Sequence, residues 1–202
     1  MQHKVPGLFY IANYITQQEE KCYLEWLNND TVVVDDDVKQ QQQWSPVGIS
    51  QRSRKVLQFG SSYSYSDKTS KKLSDIPIPT CLDCLFNSER HPCPPLVDWH
   101  PDQLIINRYL PGQGISPHID SPTLFGDTIA CVTLGSATTI LFSRQDQDEV
   151  VKVLVEPRSL YVLTKDARYQ WKHGIAPLKK DGSLSRKTRF SLTFRTMKSV
   201  PK

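Results

Sequence analysis

The segment Arg189-Phe190-Ser191-Leu192-Thr193-Phe194-Arg195 decides how this chain folds, because polar and apolar residues alternate along it with a period of two. Successive side chains of a β-strand point to opposite faces of the sheet, so the alternation predicts a strand with one polar and one apolar face. Both arginines fall on the polar face, while the phenylalanines and the leucine can fill a core. We therefore expect a sheet with a core on one side and a polar site on the other.

Short runs of similar character fill the chain from residue 103 onward. They are rich in β-branched and aromatic residues and are separated by Pro, Gly or Asp, which is typical of strands joined by turns. The predicted strands are Gln103–Leu110, Asp127–Leu134, Thr138–Phe142, Val150–Val155, Ser159–Thr164, Arg168–His173 and Arg189–Thr196. Several short strands at near-regular spacing indicate a β-sandwich or jelly roll.

The predicted helices lie before this strand-rich region. Thr16 followed by Glu19 is a capping-box pattern, and apolar residues at helical spacing predict a helix over residues 17–28. Pro79 can open a second short helix over residues 80–87. Helices that precede strands in this way favour a β core buttressed by helices at its N-terminal side.

The other N-terminal segments carry weaker signals. Residues 8–11 are predicted to form a short strand, and residues 35–55 to be irregular. The glutamine run Gln40 to Gln43 within them is expected to be loop, because it has no apolar periodicity. Residues 55–66 alternate weakly and are expected to form a hairpin arm around Gly60.

The predicted fold is mainly β with flanking helices, in the α+β class, with a jelly-roll core of the double-stranded β-helix type. The 202 residues suit one domain with a full core, and there is no internal repeat or long linker. The expected organisation is therefore a single domain over residues 1–202, with its β core at 103–197.

Composition places the protein in a broad class. A net charge of +4 suits an anionic partner but does not require one. Five cysteines, an odd number in a chain that is not short, disfavour a disulfide framework and favour a reducing compartment. No secretory signal and no apolar run of about 20 residues is visible. We expect an intracellular soluble protein of the cytoplasm or nucleus, with no membrane partner.

Two histidines and an aspartate form the first candidate site. His118 and Asp120 are two residues apart, so an extended backbone would point both to one side, and His173 follows an alternating segment that ends at a glycine. Two imidazoles and one carboxylate that leave positions open are the ligand set of non-haem Fe(II) oxygenases. A pair of residues in a surface loop is the alternative explanation for His-x-Asp taken alone.

The arginines of the opening segment form the second candidate site. Arg189 and Arg195 would be about 20 Å apart along a strand, and two guanidinium side chains of about 6–7 Å reach leave a gap that suits a dicarboxylate. Asn107 and Tyr109 share a face of another predicted strand and offer neutral hydrogen bonds to a carboxylate. The alternatives are arginines paired with protein carboxylates, and a half-buried polar pair at a sheet edge.

The order Asn-x-Tyr, His-x-Asp, His and Arg-x5-Arg resembles the AlkB family of Fe(II)/2-oxoglutarate dioxygenases. The likeness covers about residues 50–197 and is greatest to eukaryotic members, including the dioxygenase domain that accompanies a tRNA methyltransferase. It includes Pro111-Gly112-Gln113-Gly114-Ile115, Leu134-Gly135-Ser136, Pro157-Arg158-Ser159-Leu160 and His173-Gly174-Ile175.

The resemblance implies a role for each candidate residue. Iron would be held by His118, Asp120 and His173, which form the catalytic centre. The cofactor 2-oxoglutarate would be bound at its distal carboxylate by Arg189 with Tyr109, and at its metal-chelating end by Arg195 with Asn107. Ser191 stands where many members have asparagine, and serine can still donate a hydrogen bond.

The resemblance also implies a nucleotide-recognition lid over residues 44–65. Its candidate phosphate contacts are three basic residues: Arg52, Arg54 and Lys55. Its candidate residues for stacking on a base are three aromatic residues: Trp44, Tyr63 and Tyr65. A solvated basic loop is the alternative for these residues.

One departure from the family pattern bears on the substrate. Alkylation-repair members carry an acidic residue two positions after the metal aspartate, where this chain has Pro122. We therefore expect hydroxylation or oxidative demethylation of a modified nucleic-acid base, in RNA and specifically tRNA, with oxygen as co-substrate and with a tRNA-modifying partner protein. The alternatives are direct repair of alkylated DNA, modification of a protein, and nucleic-acid binding without catalysis.

A zinc site is the last candidate. Cysteine and histidine ligands suit zinc, and this chain has Cys81, Cys84, His91 and Cys93 close together in sequence. The first two cysteines fall within the predicted helix 80–87, so packing or exposed thiols are the favoured alternative.

Overall fold

The computed structural model describes residues 4–29, 31–35, 40–47, 53–64, 69–73, 76–86, 93–144 and 149–198. The strands in chain order are β1 Leu8–Ile11, β2 Thr31–Asp35, β3 Gln40–Gln43, β4 Ser45–Pro46, β5 Lys55–Ser64, β6 Thr69–Leu73, β7 Gln103–Tyr109, β8 Ile115–His118, β9 Phe125–Leu134, β10 Thr138–Arg144, β11 Val150–Val155, β12 Leu160–Leu163, β13 Trp171–Ile175, β14 Lys180–Asp181, β15 Leu184–Ser185 and β16 Arg189–Met197. The helices are α1 Gln17–Leu27, α2 Lys165–Tyr169 and two short 3-10 helices, Thr80–Phe86 and Pro94–Leu96.

Two sheets dominate the described part of the chain. The major sheet has the strand order β1-β12-β9-β16-β7-β5-β4, with β6 paired to β5, and the minor sheet has the order β11-β10-β13-β8. One face of the major sheet packs against the minor sheet through a cluster that includes Ile129, Tyr161 and Phe142. The space between the two sheets is where the polar face of β16 points.

The opposite face of the major sheet carries the second core. Phe190, Leu192 and Phe194 of β16 are fully buried there, in a cluster that also contains residues of α1 and of the 3-10 helices. The two faces of β16 are thus divided as its alternation predicts. Burying such side chains supplies most of the free energy that holds the helices on the sheet.

Helix α1 begins as predicted. The Thr16 hydroxyl accepts from the Glu19 backbone N–H, and the Glu19 carboxylate accepts from the Thr16 N–H at 2.8 Å, so the capping box is complete. Glu20 of the same helix accepts from the Gly135 N–H at 2.9 Å and pairs with Arg158 at 3.4 Å. The helix is therefore attached by polar contacts to the turn between β9 and β10.

Two predictions for the N-terminal half are wrong. The glutamine run is strand β3, because backbone hydrogen bonds to β2 form a ladder whatever the side-chain pattern. The Gln42 side chain also accepts from the Gln58 N–H at 3.1 Å. Gly60 makes no hairpin turn but lies within β5, where an added Cβ would stand 2.1 Å from the carbonyl oxygen of Asp102.

A third prediction is wrong in the second half of the chain. Residues 168–173 do not form one strand, because Arg168 and Tyr169 end helix α2 and β13 begins at Trp171. The side chain of Arg168 turns inward to a loop of the active site, which no local pattern signals. The predicted helix 80–87 exists as a 3-10 helix, and the extended segment expected at His118 is the end of strand β8.

Candidate active site

The three predicted metal ligands come together between the sheets. His118 at the end of β8 lies directly opposite His173 on the adjacent strand β13, and Asp120 follows two residues after β8. One ligand atom from each residue lies within 4.8 Å of the other two. The His118 Nδ1 lies 2.9 Å from the Ser116 carbonyl oxygen, and its Nε2 lies 3.6 Å from the Asp120 Oδ1. An imidazole held in this way presents the other nitrogen toward a metal.

The electrostatic surroundings keep the ligands in the forms that bind metal. Burial alone would raise the pKa of the Asp120 carboxyl, but Arg195 and the two histidines outweigh burial and hold that pKa well below its usual range. The Arg195 guanidinium donates to both Asp120 oxygens, at 3.2 and 3.3 Å. Burial lowers the pKa of His173 to about 4, so its imidazole is neutral near pH 7 and has a lone pair for a metal.

Arg168 holds the loop that follows Asp120, and sequence analysis did not anticipate it. Its side chain is 1% exposed, and it donates to the carbonyl oxygens of four residues, two in this loop and two at the start of β9. The distances are 2.7 Å to Asp120, 3.1 Å to Ser121, 3.2 Å to Phe125 and 3.0 Å to Gly126. A buried cation with only backbone acceptors as hydrogen-bond partners fixes the backbone that carries the candidate metal ligand Asp120.

Arg189 lies at the other end of the polar face of β16. It is 3% exposed and donates to the Thr133 hydroxyl at 2.9 Å, and its guanidinium carbon is 5.6 Å from the centre of the Tyr109 ring. Within the described residues Arg189 forms no ion pair, and its buried Nε has no hydrogen-bond partner. A buried guanidinium in these surroundings suits a carboxylate ligand.

The two arginines therefore have different neighbours. The alternative that both pair with protein carboxylates holds for Arg195, which contacts Asp120, but for Arg189 no such pair exists among the residues described. Arg195 also donates to Gln103 at 3.1 Å. One arginine thus lies beside the candidate metal ligands and the other at a distance from them, as the family resemblance implies for the two ends of 2-oxoglutarate.

A cavity of about 560 Å³ joins these groups. Asn107, Tyr109 and Ser191 all line it, so the predicted cofactor residues lie on one wall. Arg54 lines it too and donates to the Asn107 amide oxygen at 2.9 Å. Sequence analysis did not assign several other lining residues to this site, among them five on β9, β10, β12 and β16: Phe125, Cys131, Ile140, Tyr161 and Thr193. Cys131 and Tyr161 face one another across β9 and β12.

The predicted lid residues are placed differently from one another. Trp44 is buried, with its ring 5.8 Å from that of Phe190 and 4.6 Å from the Arg108 guanidinium, so the expectation that it stacks on a base is wrong. Lys55 pairs in register with Arg108, which places it on the face of the sheet away from the cavity. Arg54 alone of this set reaches the cavity within the described part of the chain.

The remaining lid residues cannot be compared with the prediction. Arg52 and Tyr65 lie outside the described residues, and for Tyr63 the backbone of β5 is described without the side chain.

The cysteines do not form a metal site in the described part of the chain. All five are free thiols, and the single group of ligands there that could hold a metal is the His118, Asp120 and His173 set. Cys93 is buried, and Cys84 contacts the Tyr23 hydroxyl at 3.3 Å. His91 lies outside the described residues.

Comparison with known proteins shows the family of this chain. The model of the 2OG-Fe(II) oxygenase superfamily matches residues 7–195. A protein of Acanthamoeba polyphaga mimivirus, called uncharacterized protein L905, is 34% identical over 95% of this chain and 85% of its own length. The mouse tRNA (carboxymethyluridine(34)-5-O)-methyltransferase ALKBH8 is 36% identical over 87% of this chain. This match spans 25% of the mouse protein.

The fold of this chain also matches that of a solved structure. The solved structure of OsALKBH1 superposes with a TM-score of 0.66 at 14% identity, over 96% of this chain and 99% of that one. The chain belongs to the 2OG-Fe(II) oxygenase superfamily and, within it, to the AlkB family. It is a 2-oxoglutarate-dependent dioxygenase whose cofactors are Fe(II) and 2-oxoglutarate, and its predicted jelly-roll fold is confirmed.

The described residues fit both cofactors. Two imidazoles and a carboxylate suit ferrous iron, and the partnerless Arg189 Nε suits a carboxylate of the co-substrate. As for membranes, none of the helices in the described ranges is long and apolar enough to cross a bilayer.

Proposed function

We propose that this enzyme oxidises a modified base in RNA, with tRNA as the first candidate, through hydroxylation or oxidative demethylation. The observation that carries the proposal is the cavity of about 560 Å³, which has the metal ligands on one side and Arg54 and Arg189 among its lining. A space of this size can take 2-oxoglutarate and part of a nucleoside together. The similarity to relatives named as tRNA methyltransferases supports tRNA over other nucleic acids.

Each residue has a proposed part in the reaction. When bound by His118, Asp120 and His173, Fe(II) with 2-oxoglutarate supplies oxygen activation for oxidation of a C–H bond, with succinate and carbon dioxide as co-products. Arg189 and Tyr109 would hold the distal carboxylate of the co-substrate. A catalytic domain over residues 1–202 is part of the proposal.

The other groups orient these components and screen them from water. Arg195 would keep the Asp120 carboxylate ionised and aimed at the metal. Asn107 and Ser191 offer hydrogen bonds on the same wall of the cavity, and Asn107 also holds Arg54. The cavity floor is apolar at Ile140 and Ile175, which limits the water that reaches the reacting group.

Pro122 favours base modification over direct repair of alkylated DNA. The residue is exposed, and its carbonyl oxygen accepts from Lys198 at 3.0 Å. It therefore supplies no carboxylate at the position where repair enzymes of the family contact the damaged base. A partner protein that acts on tRNA stays part of the proposal; this chain matches about a third or less of the length of the relatives named as tRNA methyltransferases.

The test is mass spectrometry of nucleosides after incubation with Fe(II), 2-oxoglutarate and oxygen. Total tRNA, messenger RNA and methylated single-stranded DNA are compared, and succinate is measured in parallel. We expect loss of a modified uridine or N-methylated base from tRNA, and no change with Asp120→Ala as the control. Demethylation of 1-methyladenine in DNA without any change in tRNA would contradict the proposal, as would oxidation of a co-incubated protein alone.

A further inference from the structure

A second cavity lies on the outer face of the minor sheet, behind the strands that carry His118 and His173. Its volume is about 430 Å³, and its lining comes from β8, β10, β13 and the residues that follow β13. The apolar side chains on this face are Pro117, Leu141 and Pro177, whereas the side chains of Ile115 and Ile175 pack in the core between the two sheets. The cavity shares Ile115, Ser116, Gly174 and Ile175 with the active-site cavity, so only the single layer of sheet formed by β8 and β13 separates them. We call it the outer groove.

Three lysines surround the outer groove. Lys152 lies directly opposite Leu141, which in turn lies opposite Gly174, so neighbouring Cα atoms in this row are about 5 Å apart. Lys172 precedes Gly174 by two residues on β13, on the same face. Lys179 follows the groove residue Pro177 by two positions, and its side chain lies beside Gly112. No lysine in the described part of the chain lines the groove itself, but positive charge lies near it on three segments: β11, β13 and the residues that follow β13.

These charges have no acidic neighbours in the sheet. The four strands of the minor sheet contain no aspartate or glutamate. All three lysines are exposed, and none forms an ion pair within the described ranges. By contrast Lys4, Lys21 and Lys198 each pair with a carboxylate. Among the described residues, no carboxylate of the minor sheet and no ion-pair partner offsets the charge of these three lysines.

We propose that the outer groove binds a phosphodiester segment of the RNA substrate next to the nucleotide that enters the active site. The apolar floor would contact a sugar and the face of a base, and the lysines would neutralise neighbouring phosphates. Lysine is depleted in protein–protein interfaces, so an apolar groove flanked by lysines favours a nucleic acid over a protein partner. This inference rests on the proposed function, because it assumes that the substrate is RNA.

The outer groove would bind the sugar-phosphate backbone of the RNA and would not select the base that is oxidised. Each lysine–phosphate contact to single-stranded nucleic acid contributes about 0.7 to the slope of log affinity against log salt concentration. Three contacts give a slope of about 2. They should therefore raise the affinity for RNA about 100-fold at 0.1 M salt, relative to protein without them, and hardly at all at 1 M salt.

The experiment measures binding of a fluorescent tRNA transcript to the full chain with Mn(II) and 2-oxoglutarate, between 0.05 and 1 M salt. The test variant changes Lys152, Lys172 and Lys179 to alanine. The matched control removes the same charge elsewhere on the surface: Lys4, Lys21 and Lys165. A second variant, Leu141→Glu, alters the groove floor without touching the lysines. Turnover of 2-oxoglutarate without RNA is measured for all of them.

We expect the lysine variant to bind about 100-fold more weakly at 0.1 M salt, with a salt slope lower by about 2, while the control loses much less. Leu141→Glu should weaken binding as well, and basal 2-oxoglutarate turnover should be unchanged in every variant. Equal affinity of the lysine variant and the control overturns the inference. The inference is also overturned if the lysine variant binds tRNA more weakly while Leu141→Glu binds it normally, because phosphate would then bind outside the groove.

Failure of this inference is distinguishable from failure of the proposed function. If wild-type protein modifies tRNA while the groove variants bind it normally, the groove has another role and the proposed function stands. If wild-type protein does not bind tRNA even at 0.05 M salt, both are overturned together. Binding that depends on the groove, with no modified RNA product, supports the groove and rejects the proposed reaction.

Discussion

The substitution Arg168→Met tests whether a buried arginine positions the metal carboxylate. Methionine keeps a long, flexible apolar stem of similar length but removes every donor, so four carbonyl oxygens in residues 120–126, the loop and the first two residues of β9, lose the guanidinium as a hydrogen-bond donor. Asp120 belongs to this loop, and its own carbonyl oxygen accepts the shortest of the four bonds, at 2.7 Å. The change should therefore loosen the loop at the metal ligand itself.

Two opposing contributions set how much Arg168→Met lowers the free energy of unfolding. Hydrogen bonds to a charged donor contribute about 1.5–3 kcal/mol each, so four such bonds give a gross loss of about 6–12 kcal/mol. Removal of the guanidinium also removes the cost of burying its charge, which is several kcal/mol. The net loss in the free energy of unfolding should be about 3–5 kcal/mol, which is no larger than the total of about 5–15 kcal/mol typical of folded domains. The variant should therefore still fold.

The assay combines two measurements on the metal-free protein. Urea unfolding gives the free energy of unfolding, and calorimetry with Mn(II) in place of Fe(II) gives the metal dissociation constant without oxygen chemistry. Loss of an outer partner of a metal ligand costs about 10- to 100-fold in metal affinity, and we expect that range for Arg168→Met. Arg168→Lys keeps the charge and should recover part of the affinity.

The control is Arg186→Met, at another buried arginine. Arg186 donates to both oxygens of Asp181, at 2.6 and 2.8 Å, and to the Ala176 carbonyl oxygen, but it contacts neither the 120–126 loop nor the candidate metal ligands. It should destabilise the protein by a similar amount while the metal dissociation constant stays within about 2-fold of wild type. If Arg168→Met likewise lowers stability but leaves metal affinity unchanged, Arg168 supports the fold alone and the reasoning is refuted.

Three further outcomes are expected. His118→Ala should abolish 2-oxoglutarate turnover and Mn(II) binding with the far-ultraviolet circular dichroism unchanged, and a variant that still binds metal tightly would reject its role as a ligand. Arg189→Lys keeps the charge but loses the planar fork, so the KM for 2-oxoglutarate should rise about 10- to 100-fold, equivalent to about 1.4–3 kcal/mol, whereas Thr133→Val should raise it less. Burial lowers the pKa of His173 to about 4, below the 6.5 of an unfolded chain. Between these pH values the unfolded state binds the extra proton, so the metal-free protein should lose stability as pH falls from 6.5 to 4. Urea unfolding should show that His173→Gln loses less stability than wild type over this pH range. An identical pH dependence of the two proteins would contradict the lowered pKa of His173.

Local patterns predicted those features that depend on neighbouring residues. The alternation from Arg189 to Arg195 placed two arginines on one face of a strand, and the structure buries both on that face. Thr16 and Glu19 marked the start of α1, because a capping box is complete within four residues. His118 and Asp120 were found for the same reason, since only one residue separates them.

The features that the sequence left open depend on contacts between distant segments. His173 becomes a partner of His118 only through the pairing of β13 with β8, and register between such strands is set by packing of the whole sheet. Thr133 beside Arg189, the four carbonyl oxygens around Arg168 and the burial of Trp44 likewise join residues far apart in the chain. The amino-acid sequence thus determined the strand faces, the ligand types and the family. The tertiary structure alone decided which of these groups share a cavity, because a buried polar side chain takes whichever partner the fold brings within hydrogen-bond distance.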